Sequence, residues 1–222
     1  MSKAGFVIAL LLMIAAGFGV YQWQQTLGHN QTNKATMPAQ VDLGLATSFI
    51  FDTPRALAPF ELSDQYGNRF TNQDLQNKWS LFFIGFTSCP DVCPTTLNKL
   101  AAAYPDLQAI SDQIQIVFVS ADPQRDTQTK RLDYINFFNR DFKAITTEHS
   151  GLFPFSRDLG FAYAMVGDGD NYQVDHSASY VLVSPQGEKI AVFKAKPKPG
   201  ETPQILNEEL IADFNKIVSH FS

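Results

Sequence analysis

The chemistry-bearing residues are concentrated in one short stretch. The chain has two cysteines in 222 residues, Cys89 and Cys93, within the run Phe86-Thr87-Ser88-Cys89-Pro90-Asp91-Val92-Cys93-Pro94-Thr95-Thr96-Leu97. A thiolate serves equally as a redox nucleophile and as a soft metal ligand. Three uses compete for this pair. A purely structural disulfide would close only a tiny ring and gain little stability. A thiol oxidoreductase usually carries C-x-x-C, whereas three residues intervene here. A peroxidase of the same superfamily would want a proline and a threonine ahead of its cysteine; Thr87 is present, but no proline lies between Trp79 and Cys89. A metal site needs a further ligand, and the candidate is His176 in Val174-Asp175-His176-Ser177-Ala178-Ser179. Two thiolates and one imidazole suit soft Cu(I), while structural zinc would want a fourth ligand. His149 and His220 read as surface residues, His29 as a solvated linker residue, and Met165 as core.

Particular elements must position these groups. Leu81 to Phe86 is a continuous apolar run, which reads as a central strand buried on both faces, and the cysteine loop follows it directly. Pro94 to about Ile110 reads as a helix that Pro105 bends or breaks, with Cys93 at or near its N-cap. Unpaired N–H groups and the helix dipole there should make either thiol ionise more readily than a free cysteine. Ile114 to Val119 is a second buried strand, closed by Ser120-Ala121-Asp122-Pro123, and a helix follows from about Thr127 to Asn139 with Leu132, Ile135 and Phe138 on one face. Pro59 to Leu62 leads as a short strand into a tight turn at Gly67. Tyr180–Val183 and Lys189–Phe193 flank Pro185-Gln186-Gly187 as a hairpin, and an amphipathic helix runs from Pro203 to Phe221. The order β-α-β-α, β-hairpin, α predicts an α/β, thioredoxin-like fold, with His176 on the same sheet edge as the cysteine loop.

Ahead of this domain, Ala4 to Tyr21 carries no charged residue. Eighteen helical residues span roughly 27 Å, close to a hydrocarbon core of about 30 Å. Lys3 precedes the run, and Tyr21 and Trp23 follow as interfacial anchors. The expectation is a single N-terminal transmembrane helix in residues 1–23, with a cleaved signal peptide as the alternative, a flexible linker over 24–48, and a thioredoxin-like copper-binding domain over 49–222; either reading exports the domain from the cytoplasm. A net charge of −5 without a basic run excludes a nucleic-acid footprint. A hydrophobic share of 45% is enough for a packed core.

The cysteine run, Ser120-Ala121-Asp122-Pro123-Gln124-Arg125-Asp126-Thr127 and Val174-Asp175-His176-Ser177-Ala178 together resemble the SCO/SenC family of copper chaperones for cytochrome c oxidase assembly. The likeness runs from about Phe51 to the C-terminus. It implies that Cys89, Cys93 and His176 bind copper, and that the client is the dinuclear copper site of cytochrome c oxidase subunit II. Export would place the domain in the periplasm, on the inner membrane, or in the mitochondrial intermembrane space. An oxidising space would join Cys89 and Cys93 as a redox-active disulfide, and a thioredoxin-like reductant would open it. Ligand exchange needs no covalent catalysis, so the expected protein is not an enzyme; the rival is a thiol–disulfide reductase acting on the same subunit. Asp122 is expected to cap the following helix rather than to orient the site, and Asp91 poses the same choice.

Overall fold

The computed structural model describes Phe18 and residues 21–24, 43–167, 169, 172–195 and 204–221. The chain divides into two compact units, residues 1–40 and 41–222. Of the first unit, Phe18 and residues 21–24 are helical and exposed. The rest of the anticipated membrane span and most of the linker lie outside the described residues. Among the described residues, no helix is long and apolar enough to cross a membrane.

The second unit is built on a six-stranded sheet. Its strands are β1 (Ser48–Ala56), β4 (Trp79–Gly85), β5 (Ile114–Ser120), β6 (Lys143–Ile145), β9 (Tyr180–Val183) and β10 (Glu188–Phe193), in the order β1-β10-β9-β4-β5-β6. The centre, β4, pairs parallel with β5 and antiparallel with β9. Every residue of β4 and β5 is buried, which is why both read as unbroken apolar runs in the sequence. Phe82, Phe83 and Phe118 are fully buried here, and their rings anchor the core. Two small antiparallel sheets stand apart from this ladder: β2 (Glu61–Ser63) with β3 (Arg69–Thr71), and β7 (Tyr163–Val166) with β8 (Gln173–His176).

Among the described residues, four α-helices and one short 3-10 helix (Asn72–Leu75) complete the unit; the α-helices are α1 (Val92–Ile110), α2 (Gln128–Phe138), α3 (His149–Leu159) and α4 (Asn207–Phe221). The expected α/β thioredoxin-like order is present, with additions: β1 on the outer edge, β6, α3 and the β7–β8 hairpin. Helix α1 starts two residues before Pro94 and is not broken at Pro105, where a bend or break is expected. Leu97, Leu100, Ala103, Tyr104 and Leu107 are buried on both sides of that proline, so core packing offsets its local penalty. The turn at Gly67 forms as anticipated, with φ at +83° and with the amides of Tyr66 and Asn68 donating to Asp64 Oδ1. At the domain's start, the buried Asp213 of α4 accepts from the backbone amides of Ala46, Thr47 and Ser48 and from the Ser48 hydroxyl.

Candidate metal centre

Strand β4 ends at Gly85, and the cysteine loop leaves it over the N-terminus of α1. A turn closed by the Cys89 amide donating to the Phe86 carbonyl (3.2 Å) brings Cys89 back over the helix start. There the Cys93 amide donates to Cys89 Sγ at 3.4 Å. Asp91 occupies the N-cap position without a side-chain capping bond, so Cys93 is the second helical residue and Pro94 the third. Cys93 thus lies two residues past the N-cap, near it as expected. Pro94 still falls among the first-turn residues whose N–H has no partner within the helix.

Gly85 is required by this arrangement. A Cβ at that position would lie 2.6 Å from Cys93 Sγ and 3.0 Å from the Phe118 ring. The absence of a side chain on β4 is what lets the buried thiol sit against the strand. The sequence carries one faint signal for this role: a glycine ends an otherwise apolar strand, which marks a close approach.

His176 comes from the other side, as the last residue of β8. Its Nε2 lies 3.3 Å from Cys93 Sγ, and its Nδ1 lies 3.0 Å from the Ser177 carbonyl oxygen. A carbonyl only accepts, so Nδ1 carries a proton, and Nε2 is the nitrogen that faces the sulfurs. The edges of Phe83 and Phe86 pack near the ring at centroid distances of 6.0 and 6.2 Å. Cys89 Sγ, Cys93 Sγ and a His176 ring nitrogen all lie within 4.8 Å of one another. The fold thus brings together the three residues expected as ligands.

The two thiols, both unbridged, are not equivalent. Cys89, half-buried, has its pKa brought down to about 4, chiefly by the hydrogen bond from the Cys93 thiol, with His176 and the amides of Cys93 and Asp91 adding to it against the opposing effect of burial. Cys93, fully buried, is pushed up by the Cys89 thiolate beside it and by loss of hydration. The expectation that either thiol ionises readily therefore holds for Cys89 alone. The pair keeps one proton, on the inner sulfur, and offers one thiolate outward.

Behind the ligands stands the turn from Asp122 to Asp126. The buried Asp126 carboxylate accepts from the Thr87 amide (2.9 Å), the Thr87 hydroxyl (2.6 Å) and the Ser120 hydroxyl (2.6 Å), tying the root of the cysteine loop to the end of β5. Burial raises its pKa, and those hydrogen bonds oppose the rise. Asp122 does not cap α2, contrary to expectation. Thr127 does so, accepting from the Lys130 amide, while Asp122 pairs with Arg125 and accepts from the Tyr172 hydroxyl.

Residues 52–210 match the family model of SCO1/SenC. The chain belongs to the SCO1/SenC family. It is 32% identical over 190 residues to Protein sco1 of Schizosaccharomyces pombe, covering 83% of this chain and 69% of that one. Copper-bound ScoI of Arabidopsis thaliana superposes with a TM-score of 0.64 at 29% identity, covering 74% of this chain and 98% of the other. Copper-bound yeast Sco1 superposes with a TM-score of 0.62 at 27% identity, covering 76% and 89%.

In this Sco protein the remaining histidines stay out of the centre. His149 is half-buried rather than at the surface: its Nδ1 lies 3.0 Å from the Tyr163 hydroxyl, and its ring stacks near Phe153 and Tyr163. His220 is exposed on α4, as expected. Met165 is only partly buried, at the rim of the core. Asp91, exposed, accepts from the Thr95 hydroxyl and does not reach the sulfurs with its carboxylate.

Proposed function

We propose that this Sco protein binds copper as Cu(I) through Cys89, Cys93 and His176 and delivers it to the dinuclear copper site of cytochrome c oxidase subunit II. The observation that carries the reading is the cluster itself: two sulfurs and one imidazole nitrogen within 4.8 Å, in a family whose solved members include copper-bound ones. The donor set is soft, three-fold and walled by Phe83 and Phe86, which favours Cu(I) over a hard divalent ion. His176 is held in the metal-binding tautomer by its hydrogen bond to the Ser177 carbonyl.

The same sulfurs give the site a switch. Joining Cys89 to Cys93 as a disulfide passes two electrons to an oxidant of the exported space, such as a protein disulfide, releases the pair's one proton and leaves no thiolate for the metal. A thioredoxin-like dithiol returns two electrons and the proton of Cys93, gives its second proton to solvent, is itself oxidised to a disulfide, and reopens the site. The apolar run from Ala4 to Tyr21 anchors the protein as a single transmembrane helix, with residues 24–48 as tether. Lys3 on the near side keeps the N-terminus cytoplasmic, so the copper domain faces the periplasm or the intermembrane space.

Cu(I) titration of the full-length protein in detergent tests this reading, beside His176→Ala, Cys89→Ser and Cys93→Ser. One equivalent should bind tightly to the wild type and more weakly to every variant. Undiminished affinity in all three would sink it.

A second reading, a thiol–disulfide reductase acting on the cysteines of subunit II, is favoured by the asymmetry of the thiols. An outer low-pKa sulfur and an inner protonated one match the attacking and resolving roles of a dithiol reductant. It predicts that His176→Ala retains disulfide reduction while both cysteine variants lose it.

A further inference from the structure

One five-residue turn grips both halves of the metal centre. Asp126 holds the cysteine side through Thr87. The other charged pair of the turn reaches the histidine side. Asp122, fully buried, receives Arg125 Nε at Oδ2 and the Tyr172 hydroxyl at Oδ1 (2.6 Å). Arg125 Nη1 donates to the Tyr172 carbonyl at 2.8 Å, and the guanidinium carbon lies 3.7 Å from the centre of the Tyr172 ring. Tyr172 is therefore held at its hydroxyl, its ring face and its backbone carbonyl. It immediately precedes β8, the strand that ends in His176.

This grip matters because of how the hairpin is attached. Strands β7 and β8 form a sheet of their own, with no ladder to the six-stranded sheet. A two-stranded hairpin is marginal by itself, so the depth at which β8 lies is set by contacts outside its ladder. At the His176 end, the ring edges of Phe83 and Phe86 exclude water but impose little direction. One directional contact there is on the partner strand, where His149 Nδ1 meets the hydroxyl of Tyr163, the residue opposite His176; on the β8 side the directional contacts to elements other than the ligands are at the Tyr172 end. A strand rises about 3.3 Å per residue and transmits a shift at one end to the other, and a metal ligand tolerates only about 0.5 Å of displacement.

We propose that Arg125 is a positioning residue of the metal centre: by clamping Tyr172 against Asp122 it fixes the reach of His176 toward the two sulfurs. The proposal rests on the copper reading above.

The test is a double-mutant cycle on full-length protein, with Cu(I) affinity measured by competition with a chromophoric chelator. Arg125→Gln should weaken binding on the order of tenfold. Adding Arg125→Gln to His176→Ala should cost nothing further, because Arg125 acts through His176. Arg125→Lys, which keeps the charge but not the planar fork, should resemble Arg125→Gln. Removing Arg125 strands a buried carboxylate, so Tyr172→Leu, which spares the Asp122–Arg125 pair, is run in parallel and should show the same pattern. In copper-free reduced protein, amide deuterium exchange over 173–176 should rise in Arg125→Gln and Tyr172→Leu, while 81–85 stays protected. Wild-type affinity in both variants, or losses that add fully to that of His176→Ala, would overturn the positioning role and leave the copper reading standing. Wild-type affinity in His176→Ala would overturn both.

Discussion

Cys93 Sγ and His176 Nε2 lie 3.3 Å apart although 83 residues separate them in the chain. The contact joins the start of α1 to the end of β8, two elements with no backbone ladder in common. Substituting His176 by Ala should leave folding nearly intact, since the ring is only partly buried, and should reduce Cu(I) affinity by on the order of 100-fold. Chelator competition checks the affinity, and thermal melting of the metal-free form checks the fold.

The outer thiol should show its low pKa directly. In reduced, metal-free protein the alkylation rate of Cys89 by iodoacetamide should stay flat from alkaline pH down to about 5 and fall as pH drops through about 4. An ordinary thiol would already have lost most of its rate below pH 8. The linked stability has the same sign: because folding depresses this pKa, the contribution is complete above the ordinary thiol range and disappears as pH falls through about 4. Cys93→Ala, which removes the largest cause of the shift, should move the alkylation midpoint upward.

Gly85→Ala should damage the site from behind. The added methyl would meet Cys93 Sγ at 2.6 Å and the Phe118 ring at 3.0 Å, both in the fully buried core. Overpacking of this kind costs about 1–3 kcal/mol. Urea unfolding should report that loss, and copper titration should show weakened binding, since the sulfur must move.

Asp126→Ala should be more severe than its distance from the ligands suggests. It strands the Thr87 amide and the hydroxyls of Thr87 and Ser120 together. Leaving buried donors unpaired costs about 1–3 kcal/mol each at most, with partial relief from water. A net destabilisation of about 2–4 kcal/mol is expected by urea unfolding, and Asp126→Asn, which retains an acceptor oxygen, should fall between it and the wild type.

The ligands and the central strands were legible in the sequence because each carries a local signal. Unbroken apolar runs betrayed β4 and β5, and the turn residues around Gly187 marked the β9–β10 hairpin. The β7–β8 hairpin was not legible. Its strands are four residues long, and its exposed positions include Ala164, Val166 and Gln173, so neither alternation nor an apolar run distinguishes it from loop. The roles of Asp122, Asp126 and Arg125 were also hidden, because their partners Thr87, Ser120 and Tyr172 come together only through tertiary contact. Thr127 competed with Asp122 as a helix cap and won by position: it directly precedes the first helical residue. Pro105 misled because its local penalty is outweighed by the buried residues on either side of it.

The unequal burial of the two sulfurs gives metal hand-over a sequence in time. Cys93 is sealed from solvent while Cys89 stands half open at the rim. An incoming donor from a client would meet the partly exposed ligands, Cys89 and His176, before the sealed one, so one of these two is displaced first. Cys93, with no route for a competitor to reach it, is the last to let go. On the proposed reading the ion therefore leaves by stepwise substitution, carried between two proteins at once before it is released, and never passes through water as a free ion.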